Sequence, residues 1–146
     1  DVSRFFSLCG GDERKMSLAV VFMMTFVGMP CVFYGDELGL LGTEERDYRQ
    51  PMVWKGKRGS LFSLYKALIT LRKEEDALRG GNFEVERITK EGVYIYLRRK
   101  GDSVIRVIIN RTKEPYIEKL ENVILSKEYD NGVLDPYGFA ILGGLG

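Results

Sequence analysis

The chain contains no histidine and only 2 cysteines. The first absence removes the usual base of a serine- or cysteine-type triad and the commonest zinc ligand, so chemistry of that kind cannot come from this chain. Cys9 and Cys31 lie in Gly-rich or apolar surroundings without metal-ligand spacing, which argues against zinc. So small a cysteine content suits a reduced, cytoplasmic protein, although it does not by itself exclude one disulfide. An excess of charge of one sign is also missing. There are 22 Lys+Arg against 21 Asp+Glu, and no basic stripe stands out that would track a phosphate backbone, so nucleic acid is not an expected partner. Long hydrophobic runs are absent too. Met16 to Phe26, behind Arg14 and Lys15, is too short to span a bilayer and has no small-residue cleavage site after it. It reads as a buried helix, and no membrane partner is expected. Neither a metal nor a cofactor is implied.

What is present changes character near Gly80-Gly81, from helix-like periodicity to short alternating strands. This predicts two units within 146 residues, 1–80 and 81–146. In the first, Gly10-Gly11-Asp12 reads as a turn ending in an N-cap, with a helix from about Glu13 to Val27 stopped by Gly28 and Pro30. Cys31 to Tyr34 is a continuous apolar run of the length and type expected of a parallel strand covered on both faces. A second helix, Ser60 to Lys73 with Ser60 as its cap, carries Leu61, Leu64, Tyr65, Leu68 and Leu71 at amphipathic spacing. Helix, strand, long loop and helix is the order expected around one unit of a β/α barrel, whose functional loops follow the strands. The second unit reads as strands at Phe83–Ile88, Val93–Arg99, Val104–Asn110, Tyr116–Leu120, Val123–Leu125 and Phe139–Leu142. Asn131-Gly132 is suited to the positive φ angles of a tight hairpin turn. Short strands at this spacing predict a small antiparallel sandwich, an α+β chain as a whole.

The loop from Gly35 to Trp54 concentrates the chemistry. Asp36, Glu37, Glu44, Glu45, Arg46, Asp47, Tyr48, Arg49 and Trp54 combine paired hydrogen-bonding groups with aromatic rings, a mixture suited to a polyhydroxylated ligand. A solvated loop whose charges pair with one another is the plainer alternative, and each such pair contributes about 0–1 kcal/mol. Trp54 is read as packing the loop onto the following helix in preference to stacking on a ligand.

Gly28-Met-Pro-Cys-Val-Phe-Tyr-Gly-Asp-Glu-Leu-Gly39, followed by Arg49-Gln-Pro-Met-Val-Trp54, resembles the end of the catalytic barrel in the α-amylase family of glycoside hydrolases. Within that family the resemblance is to the neopullulanase, cyclomaltodextrinase and maltogenic amylase group. It extends back to Asp1-Val-Ser-Arg4 and forward through Leu71-Arg72-Lys73 and Ala77-Leu78 to Pro136-Tyr-Gly-Phe139. The resemblance implies the last helix–strand–helix of a (β/α)8 barrel followed by an antiparallel Greek-key β-sandwich. It implies a C-terminal part of a retaining hydrolase of α-1,4 linkages, with α-1,6 linkages as a further option, in maltooligosaccharides, cyclodextrins or pullulan. Asp1 falls on the family's transition-state-stabilising aspartate. Arg49 and Glu45 match an Asp-Pro-x-x-Arg element that contacts sugar, with Glu45 for the aspartate and Arg46 for the proline. Arg4, Tyr34, Asp36 and Glu37 fall on supporting positions.

A retaining glycosidase also needs a nucleophile and a general acid/base about 5–5.5 Å apart. No segment here matches the strands that carry them in the family, so the isolated chain is expected to be inactive. Its expected partners are an α-glucan oligosaccharide and either the missing barrel half or a second copy of itself. Two other classes remain open on sequence: an accessory carbohydrate-binding module, and a self-associating structural fragment.

Overall fold

The structure is a computed structural model that describes residues 2–56 and 58–144. Its first long helix, α2 (Glu13–Thr25), follows the one-turn helix α1 (Phe5–Leu8). The Asp12 side chain accepts a hydrogen bond from the Arg14 N–H at 2.9 Å, which satisfies one of the helix's unpaired N-terminal donors. Met16, Leu18, Val20, Val21 and Met24 are all buried, so the helix is enclosed on more than one side. Burying side chains of this kind contributes about 1.5–3 kcal/mol each. The helix ends at Thr25, earlier than the sequence suggests, because Phe26 turns extended ahead of Gly28 and Pro30.

After a 3₁₀ turn at Asp36–Leu38 and the short α3 (Glu45–Tyr48), α4 (Ser60–Glu74) packs its leucine face on α2. Its cap differs from expectation. Gly59 holds the N-cap position without a side-chain bond, while the Ser60 hydroxyl donates to the Glu13 carboxylate on α2. The short α5 (Asp76–Gly80) leads into the strands.

The strand expected at Cys31 to Tyr34 does not form. Among the described residues the segment pairs with no other strand, and Val32, Phe33 and Tyr34 are exposed. A parallel strand buried on both faces needs neighbours on both sides, and none lies beside this segment among the described residues.

The six strands β1 (Asn82–Ile88), β2 (Val93–Lys100), β3 (Ser103–Asn110), β4 (Tyr116–Ile117), β5 (Val123–Asp130) and β6 (Val133–Leu142) make one antiparallel sheet. Pairing runs β1-β2-β3-β6-β4, with β5 on the other edge of β6. Asn131 and Gly132 both take positive φ (45° and 86°), forming the tight turn between β5 and β6. The expected sandwich is realised by curling this sheet. One face, with Tyr96, Ile105, Val107, Ile109, Phe139 and Ile141, packs on α2, α4 and α5 in a single core. The alternate residues Val93, Ile95, Ile108, Leu134, Ala140 and Leu142 form a second core inside the curl. The period-two alternation along β2, β3 and β6 thus sorts side chains between two interiors.

Two arginines close the junction between α2 and the sheet. Arg98 is 1% exposed and donates to Thr25 O at 2.6 Å, Gly81 O at 2.8 Å and Asn82 O at 3.2 Å. Arg72 on α4 donates to Met24 O, Phe26 O and Gly28 O. Together they take up carbonyls at the end of α2 that lack intrahelical partners, where cations also suit the helix dipole. The Tyr96 and Thr25 hydroxyls share a hydrogen bond at 2.5 Å beside them. Tyr94 and Tyr96 share a sheet face and pack with Phe22, which accounts for both rings structurally.

Candidate functional site

Arg4 is the centre around which the loops converge. It is 3% exposed, and one guanidinium nitrogen, Nη1, donates to the Tyr34 carbonyl and to Asp36 Oδ1, both at 2.9 Å. Its own backbone N–H donates to Gly42 O at 2.9 Å. Arg4 thereby ties the segment before α1 to the turn after residue 33 through its side chain and to the loop before α3 through its backbone. The guanidinium also lies over the rings of Phe33 (4.8 Å) and Tyr34 (5.1 Å), an attraction that grows as water is excluded. Its Nε and Nη2 are buried without a hydrogen-bond partner among the described residues.

The remaining loop residues are stitched to this centre. Gly35 (φ 87°) makes a left-handed turn, its N–H donating to Glu37 Oε2 at 2.8 Å. A Cβ there would press only on the tip of the Leu40 side chain, so it is the left-handed conformation that calls for glycine. The Tyr34 hydroxyl donates to Gln50 O at 3.0 Å, and Gln50 Nε2 donates to Leu41 O at 2.7 Å. Ser3 reaches Thr43 O, and the Gly42 N–H donates to Ser7 Oγ at 2.8 Å. Burial pushes the Asp36 carboxyl above its ordinary value, against the hydrogen bond and charge of Arg4, while the Glu37 charge adds to the rise. Beneath the loop, Tyr65 is pushed up by burial and by the negative charges of Asp36 and Glu37.

Beside Arg4 opens a groove of about 530 Å³ lined by Val2, Ser3, Phe5, Leu8, Phe33, Asp36, Tyr48 and Arg49. The size is within the range of small-ligand sites, and the lining alternates apolar surface with hydrogen-bonding groups. Glu45 and Arg49, one helical turn apart, form an ion pair at 3.1 Å with both side chains more than half exposed. An exposed pair of this kind adds little stability.

The structure therefore brings Arg4, Tyr34, Asp36, Glu37 and Arg49 into one region. Asp1 lies outside the described residues. Phe33, read from the sequence as strand core, instead forms a groove wall. Trp54 does not pack the loop onto α4: it is 84% exposed, and the face of Phe62 is covered by Arg58 at 4.6 Å. Gly42 carries no sequence signal of its own, yet a Cβ there would lie 2.6 Å from the Tyr48 N. Among the described residues no group of three His, Cys, Asp or Glu could hold a metal ion. None of their helices is long and apolar enough to cross a membrane.

Comparison with known proteins gives this geometry a context. Residues 1–58 match the family described as "Alpha amylase, catalytic domain". Neopullulanase 2 of Thermoactinomyces vulgaris is 39% identical over 117 residues, 78% of this chain and 20% of the relative. A cyclomaltodextrinase of Thermoanaerobacter pseudethanolicus is 37% identical over 137 residues, 88% of this chain and 24% of the relative. The crystal structure of a maltogenic amylase from S. marinus superposes with a TM-score of 0.83 at 30% identity, covering 99% of this chain and 21% of that one. The chain thus spans between 20% and 24% of the length of these two curated relatives.

Proposed function

From a chain related to the α-amylase family, and within it to neopullulanase, cyclomaltodextrinase and maltogenic amylase, we propose one wall of the active site of a retaining α-glucan hydrolase. The observation that carries this reading is the buried Arg4 tie, which holds the segment after Asp1 against the loop bearing Glu45 and Arg49. In this role Arg49 and Glu45 hydrogen-bond hydroxyls of a glucan, exchanging their mutual pair for the ligand. Asp1 holds hydroxyls of the reacting ring, bonds that strengthen in an oxocarbenium-like transition state. Arg4, Tyr34, Asp36 and Glu37 fix the loop and do not touch the scissile bond.

The nucleophile and general acid come from a complementary barrel portion, on which residues 1–80 dock while residues 81–146 brace them. The unpaired apolar segment Cys31 to Tyr34 supports this docking, since its exposed side chains and backbone would be covered by neighbouring strands. The chain alone is inactive.

A graft tests the proposal: this chain replaces the matching segment of Neopullulanase 2 from T. vulgaris, and reducing-sugar release from cyclomaltodextrin is measured. The graft is expected to be active and the chain alone silent. In the graft, Arg49→Ala should lower kcat/KM by about tenfold or more, the loss of a charged hydrogen bond of about 1.5–3 kcal/mol. Activity of the chain alone, or an unchanged Arg49→Ala graft, would overturn it.

A further inference from the structure

A second hollow, of about 460 Å³, lies between α2 and the sheet and shares only Phe5 with the groove described above. Its floor is apolar, built from Leu18, Ala19 and Phe22 of α2 with Ile109 of β3, and Phe5, Tyr94 and Tyr137 stand around it. Its charged members are all positive: Lys15 and Arg111 line it, and no carboxylate does. Arg111 is held in place by its Nε, which donates to Gly92 O at 3.0 Å. That leaves its two terminal nitrogens, a planar fork suited to a carboxylate, for another acceptor. Neither Lys15 nor Arg111 forms an ion pair among the described residues.

Tyr137 adds an independent observation. It adopts φ +61°, a left-handed conformation that costs a bulky residue energy and persists only where the surroundings impose it. The ring so placed has the Arg14 guanidinium and the Lys15 ammonium each 5.3 Å from its centroid. Arg14 is already paired with Asp12 at 3.2 Å, so the cations left at the hollow are Lys15 and Arg111, set beside an aromatic ring and an apolar floor with no carboxylate in the lining.

We infer that this hollow binds a small amphipathic carboxylate, with an aryl or short acyl body on Leu18, Phe22 and Ile109 and its anionic end toward Lys15 and Arg111. A sugar is the poorer match, since the lining offers no carboxylate or amide acceptor for its hydroxyl protons. A neutral apolar ligand would leave the two cations unused. Phe5 is shared with the Arg4 groove, but the inference does not depend on how that groove is used.

The test uses the chain itself, labelled with ¹⁵N, titrated in parallel with 4-phenylbutyrate and with its uncharged isostere 4-phenylbutanamide. The acid should give saturable amide shifts at residues 15–22, 94 and 109–111, and should bind about tenfold more tightly than the amide, a difference of about 1.4 kcal/mol. Lys15→Gln/Arg111→Gln should abolish that preference while leaving weak binding of both. Should the double variant fail to fold, the acid-against-amide comparison on the parent chain decides alone. Equal affinity for acid and amide, shifts confined to residues 27–34, or saturable binding of maltotetraose at the same residues would each overturn the inference.

Discussion

Arg98 offers the sharpest test of how α2 is joined to the sheet. The side chain is buried without a carboxylate partner, and burial, with the nearby charge of Arg72, disfavours its protonated form. Its place is secured by three carbonyl acceptors, from Thr25 at the end of α2 and from Gly81 and Asn82 at the start of the sheet. Hydrogen bonds from a charged donor contribute about 1.5–3 kcal/mol each, so three give a gross loss of about 4.5–9 kcal/mol on truncation. Against this, a methionine in the same space avoids the several kcal/mol spent on desolvating a guanidinium. The expected net loss for Arg98→Met is about 2–4 kcal/mol, because the carbonyls are left buried and unpaired. For a chain of this size each kcal/mol lowers the midpoint by about 2–4 °C, so Tm should drop by roughly 10 °C. Arg98→Lys keeps the charge but not the planar fork, and should fall between parent and Arg98→Met. Thermal unfolding followed by far-UV and near-UV circular dichroism measures all three. A methionine variant that melts with or above the parent would refute the reasoning and assign Arg98 a net cost.

Acid sensitivity should trace to Arg106, which bonds Glu86 at 2.8 Å and Glu118 at 2.6 Å. The guanidinium holds Glu86 below the usual carboxylate range. Burial acts to raise Glu118, but its bonds from Arg106 and Tyr116 prevail and lower it. Since both folded-state values are depressed, the stabilisation is present above the unfolded pKa of about 4.3 and is lost as pH falls through the folded values. Tm of the parent should therefore fall more steeply below about pH 4 than that of Glu118→Gln, and parallel acid limbs would count against the network. Gly42→Ala places a Cβ against the Tyr48 and Asp47 backbone, so α3 must shift and carry Glu45 and Arg49 with it. The expected cost is about 1–3 kcal/mol in chemical denaturation, and an unchanged midpoint would show that the loop yields freely.

The elements legible in the sequence are those whose partners lie within it. Asp12 could be read as a cap because the N–H it accepts from is two residues away, and the leucines of α4 could be read as a buried face because α2 and the sheet are both in the chain. Alternation along β2 and β3 gave the strands, and Asn131-Gly132 the turn that joins β5 to β6. Cys31 to Tyr34 shows the reverse case. Its apolar run has the composition of a covered strand, but strand structure is a property of pairs, and the pairing edges are not supplied here.

Arg4 and Arg98 mark another limit of the sequence. In a pattern of polar and apolar letters an arginine reads as surface, whereas both are buried, held by backbone carbonyls far off in the chain that no local period reveals. The loop's mixture of carboxylates, arginines and aromatics did point to a shared region. That Glu45 and Arg49 pair is a local matter of one helical turn, whereas the bond from the Gly35 N–H to Glu37 goes with the left-handed turn at Gly35, and that of Tyr34 to Gln50 O spans sixteen residues. Gly42 was invisible because its requirement is only for space beside another segment.

The pairing of β6 has a consequence for how the chain acquires its shape. This strand joins β3, β4 and β5, and gives both interiors a set of alternating side chains. On a ribosome, residues 133–142 emerge only after α2, α4 and β1 to β3 have been made. Until then the helices and the first hairpins hold an incomplete interior, and β3 presents an open edge able to recruit a foreign strand. Closure must wait for contacts far apart in sequence, such as Lys127 with Glu13, which slows the search for the finished arrangement. The nascent chain thus passes through an interval of exposure that ends only when β6 arrives.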